Sequence, residues 1–104
     1  MPTRTPRMAQ IEALLADDPT DAFLRYGLAM EHVSVADDAT AAEHLRRLCA
    51  DSTYVPAFLQ AGQVLNRLNR PDEAADVLRR GIAIARQQGD SHAEGEMAGL
   101  LATL

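Results

Sequence analysis

Apolar residues recur at intervals of three and four along the chain, and no stretch sustains the alternation of a half-buried strand. The pattern predicts six helices joined by short turns. The first covers about residues 6–16, with Met8, Ile11, Leu14 and Leu15 on one face. It stops at Asp17-Asp18-Pro19, because proline disfavours helical geometry in the residue before it. The second follows Thr20 or Asp21, either a fitting N-cap, and carries Phe23, Tyr26, Leu28, Ala29 and His32 to about Val35. Asp37-Asp38 breaks it and caps the third, about 39–50, whose inner stripe is Ala41, Leu45 and Leu48. Pro56 opens the fourth, which bears Phe58, Ala61, Gly62 and Leu65 and ends near Asn69. Pro71 starts the fifth, with Ala74, Leu78 and Ile82 as its stripe, and nothing stops it before Gly89. The sixth starts at Ser91, where Ser91 and Glu94 form a capping box, and carries Met97, Leu100, Leu101 and Leu104.

The chain also repeats itself. Laid along itself so that Ala41 falls on Ala74, it places Ala42, Leu45, Arg46, Arg47 and Ala50 on Ala75, Leu78, Arg79, Arg80 and Ala83. Glu43/Asp76, Ala29/Gly62 and Cys49/Ile82 are similar pairs at the same offset. Ile11, Leu14 and Ala16 precede Leu45, Leu48 and Ala50 by an offset one position longer. A period of roughly 34 residues with two helices per unit is the signature of a helical solenoid. Small residues at matched positions, Ala29 with Gly62 and Ala41 with Ala74, permit close antiparallel approach of paired helices.

On these residues the sequence resembles the tetratricopeptide repeat (TPR) family, as a small bacterial-type protein of two repeats. The second unit carries the pattern best, in Phe58, Ala61-Gly62, Leu65, Ala74, Leu78 and Gly81; the first matches at Leu28-Ala29, His32, Ala36, Ala41, Leu45 and Leu48. It departs from the pattern where His32 and Leu65 replace a usual Tyr, Asn69 a common Gly, and Thr53 and Arg86 a closing Pro. Phe23-to-Gly27 mimics Phe58-to-Gly62 and offers a register two residues away, but the gapless register is adopted. The resemblance implies an all-α fold, a short right-handed solenoid of helix–turn–helix hairpins in one domain over 1–104. Its parts would be a leading helix (about 6–16), repeat 1 (about 22–54), repeat 2 (about 55–88) and a capping helix (about 91–104). It also implies a non-catalytic module that binds other proteins.

Composition narrows the classes further. The net charge of −5 disfavours nucleic acid as a partner. No apolar run reaches a membrane span, and MPTRTPRMAQ lacks the apolar core of a signal peptide, so a cytoplasmic protein is expected. All ten basic residues are arginine. Arginine suits bidentate contacts to carboxylate or phosphate, but with the abundant alanine it also fits a GC-rich bacterial coding sequence.

Candidate chemistry is sparse. His32, His44 and His92 show no metal-ligand spacing, so neither a metal nor a cofactor is expected. His32 reads as a partly buried packing residue, His44 and His92 as solvent-facing, and Cys49 as a small buried hydrophobe. No phosphate loop, nucleophile elbow or triad spacing appears, so no enzyme is expected. Arg46-Arg47 and Arg79-Arg80 stand beside Glu43, Asp51 and Asp76 and read as salt-bridged surface. In a solenoid the leading helix of each unit lines the concave wall. That wall would receive Tyr26, Met30, Val33 and Ser34 from the first unit and Leu59, Gln63, Asn66 and Arg67 from the second. It would be a groove with apolar pockets and polar groups for a peptide segment of a partner protein. The alternative is a self-associating assembly adaptor, a homo-oligomer formed through that groove or through the apolar last helix.

Overall fold

Helix starts in this chain are set by acceptors for the first unpaired amides. In the computed structural model, which describes residues 3–104, Thr5 accepts from the Met8 amide at 3.1 Å and Asp21 from that of Leu24 at 2.9 Å. Asp37 and Asp90 do the same for Thr40 and Ala93, at 3.3 and 3.1 Å. The helices so begun are α1 (Pro6–Asp17), α2 (Ala22–Ser34), α3 (Asp38–Asp51) and α6 (Ser91–Ala102). The other two, α4 (Val55–Arg67) and α5 (Pro71–Gln88), carry proline in the first turn, where a missing N–H costs nothing. Among the described residues there is no strand. Met1 and Pro2, where the reading of the amino terminus begins, lie outside the described residues.

The turns inside the two hairpins are built alike. Ala36 and Asn69, one repeat period apart, both adopt φ of 60°. After each, the next amide donates back to the first carbonyl of the turn, Asp37 to His32 and Arg70 to Leu65, both at 2.9 Å. Gly89 ends α5 in the same left-handed conformation.

The helices gather into two compact units, one ending at Ser52 and one spanning Thr53–Leu104. In the first, α2 packs against both α1 and α3. Met8, Ile11 and Leu28 form a buried cluster, with Leu15, Leu24 and Val35 against it. In the second, α4, α5 and α6 pack mutually around Phe58, Leu65, Leu78 and Met97, all at most 1% exposed. Close approach there depends on two glycines: a Cβ on Gly62 would meet Leu78 Cδ2 at 2.5 Å, and one on Gly81 would meet Phe58 Cβ at 2.5 Å.

Several expectations change. Leu14 is exposed, because it lies roughly 120° around α1 from Met8, off the row that Ile11 and Leu15 share with it. On α5, Ile82 is only half-buried, and the inward places near it go to Gly81 and Ala85. On α6 only Met97 is buried. The expected Ser91–Glu94 box is replaced by Asp90 as N-cap, while Glu94 binds Arg86 of α5 at 2.8 Å.

Candidate interaction surface

The packed side of α2 is Leu28, Ala29 and His32. Tyr26, Met30 and Val33 form a separate row on the same helix at spacings of four and three, and all three are half-buried; Ser34 is exposed. In α4 the packed side runs through Ala57, Phe58, Ala61, Gly62, Val64 and Leu65. Leu59 and Gln63 are half-buried beside it, and Asn66 and Arg67 are exposed. Each row therefore belongs to the first helix of its own hairpin: apolar and aromatic on α2, mostly polar with one cation on α4.

Around these faces the charges are largely paired. In the first unit Thr5 donates to Glu31 at 3.0 Å, Arg7 approaches the same carboxylate at 3.7 Å, and Arg25 binds Asp51 at 3.0 Å. Glu43 takes both Arg46 and Arg47 at 3.5 Å, and in the second unit Asp76 takes Arg79 at 3.4 Å. Arg80 lies 5.5 Å over the Phe58 ring. Arg46, Arg47 and Arg79 thus lie on salt-bridged surface within their units, as their neighbouring acids suggest, whereas Arg80 covers an aromatic ring and Asp51 serves Arg25.

Cys49 is buried, and among the described residues no group of three or more His, Cys, Asp or Glu side chains is arranged to hold a metal ion. His92 is exposed on α6 and pairs with Glu96 at 3.1 Å. His44 departs from its expected solvent position. It is half-buried, and its ring lies parallel to that of His32, centroids 5.2 Å apart. The sequence held a signal for this: one period further on, the places of His32 and His44 are taken by Leu65 and Val77, both buried.

No protein-family model matches the chain. A TPR repeat-containing protein of Pseudomonas aeruginosa is 32% identical over 95 residues, which are 90% of each chain. Two solved structures of a tetratricopeptide repeat domain protein from Salinibacter ruber are also similar, each at 31% identity. The crystal structure has a TM-score of 0.74 and is matched over 80% of this chain and 93% of its own. The solution structure scores 0.76, over 82% and 87%. With a relative of this identity along nearly its whole length, and with helical hairpins of the same design, the chain belongs to the tetratricopeptide repeat family.

Proposed function

We propose that this protein is a non-catalytic cytoplasmic adaptor that binds a peptide segment of another protein on the leading helices of its hairpins. Family membership supports the general role of a protein-interaction module. The observation that carries the finer reading is the half-buried row Tyr26, Met30 and Val33, an aromatic and two apolar side chains set apart from the packed side of α2. Such a row takes up apolar side chains of a bound segment. On α4, Gln63, Asn66 and Arg67 offer an amide, a second amide and a guanidinium to main-chain and carboxylate groups.

Panning a random displayed-peptide library on the full chain tests this. Enriched peptides should bind wild type and lose roughly five- to thirtyfold in affinity on Tyr26→Ala or Arg67→Ala, the range for anchor residues of these types. Circular dichroism should remain that of the wild type. Equal binding by the variants, or no enrichment at all, overturns the peptide-binding proposal.

A second reading, self-association through the last helix, is favoured by one observation: Leu104 is 39% exposed at the end of the chain, next to half-buried Leu100 and Leu101. Light scattering decides it, since a clean monomer throughout the micromolar range removes it.

A further inference from the structure

Between α2 and α3 lies a cluster of titratable groups that the peptide face does not use. His32 is 8% exposed, and its ring plane is within 15° of that of His44 on α3. Its Nδ1 faces Oδ2 of Asp37 at 3.6 Å, beyond hydrogen-bond reach, and both atoms are sealed from solvent without a hydrogen-bond partner. Asp37 is tied in place. Its Oδ1 accepts from the Thr40 amide at 3.3 Å, and its own amide donates to the His32 carbonyl at 2.9 Å. The second unit has no such device, because Leu65 and Val77 occupy the matching positions.

We propose that the stacked His32–His44 pair is an acid-sensitive latch of the first unit, which holds the α2–α3 hairpin while at least one ring is neutral and loosens it when both are protonated. A proton on His32 finds a counter-charge in Asp37. A proton on His44 finds little to welcome it. Burial of the ring opposes it first, then the positive charge of a protonated His32, then Arg47 on its own helix and Arg25 on α2. Glu12 on α1 acts the other way, but that carboxylate is already paired with Arg4. The nearby acids Glu43 and Asp51 are engaged with Arg46, Arg47 and Arg25. The balance holds the His44 imidazole below its ordinary value of 6.5.

The direction of the pH effect follows. The unfolded chain protonates His44 without this resistance, so at that ring it binds more protons than the folded unit once the pH drops below the ordinary value. The contribution of His44 to stability is complete above 6.5 and is lost as the pH falls from there through its lower folded value. Asp37 acts in a different window. Its hydrogen bonds from Thr40 hold the carboxyl below the ordinary value of 3.8, so its contribution stays intact until the pH falls below that. Loosening the hairpin would free the helix that carries Tyr26, Met30 and Val33.

Thermal unfolding of the full chain, followed by circular dichroism from about pH 8 to about pH 5 where imidazoles titrate, tests the latch. The wild-type midpoint should fall by about 4 °C, the low end for a roughly fivefold loss of the folding constant, since His44 is half open to solvent. The double variant His32→Leu/His44→Val, which copies the pair of the second unit, should lose this slope, and His92→Gln should keep it. A flat wild type, an undiminished slope in the double variant, or loss of the slope in His92→Gln would each overturn the proposal. Should the double variant fail to fold, nuclear magnetic resonance of the wild type decides. The latch requires that His44 titrate below 6.5 and that amide signals of α2 and α3 broaden before those of α4 and α5. A His44 midpoint at or above that value, or broadening that begins in α4 and α5, refutes it.

Discussion

Adding one methyl group at two different glycines should move stability in opposite directions. Gly81 lies in α5 where a Cβ would stand 2.5 Å from Met97 Sδ and 2.5 Å from Phe58 Cβ. Methionine can swing its sulfur aside, but the Cβ of Phe58 is bonded to the backbone of α4 and its ring is fully buried. Gly81→Ala therefore forces a helix to shift, an overpacking cost of about 1–3 kcal/mol. Gly95 lies in α6 of the same unit with nothing within 4 Å of the position its Cβ would take. Gly95→Ala should gain about 0.5–1 kcal/mol from the smaller entropy loss of alanine in a helix. Gly81→Ala enjoys the same gain, so the difference between the variants isolates the steric cost at about 1–3 kcal/mol. Urea titrations followed by circular dichroism measure it, provided the slope m is unchanged. If Gly81→Ala is as stable as Gly95→Ala, the close packing of α4, α5 and α6 around Phe58 is wrong.

Two further outcomes are expected. Phe58→Ala should cost about 3–5 kcal/mol by emptying a fully buried site, whereas Phe23→Ala, at a residue 69% exposed, should leave the urea midpoint close to wild type; similar losses at both would reopen the alternative register. Ala36→Gly, at a φ of 60°, should raise stability by about 0.5–1 kcal/mol, the left-handed penalty of alanine less the entropy cost of glycine; a destabilised variant would contradict that backbone conformation.

Much was written in the order of residues. Helix number and ends follow from proline, capping acids and the period of the apolar residues, because these act over a single turn and need no neighbour. The shift that superposes Ala41–Ala50 on Ala74–Ala83 likewise exposes the hairpin design and the small residues on which it depends. It was also enough to suggest the family. Which apolar residues are buried was decided only by packing. Leu14, Phe23 and Leu104 satisfy a helical period yet stay exposed, since a period names a stripe and not its width. Either Asp90 or Ser91 could have capped α6 by its residue type; in the fold Asp90 accepts the Ala93 amide, and Glu94, which the box would have used, pairs with Arg86 across the helices. The His32–His44 stack belongs to the same class. Twelve positions separate the two rings along the chain, and only the antiparallel return of α3 against α2 lays one imidazole over the other.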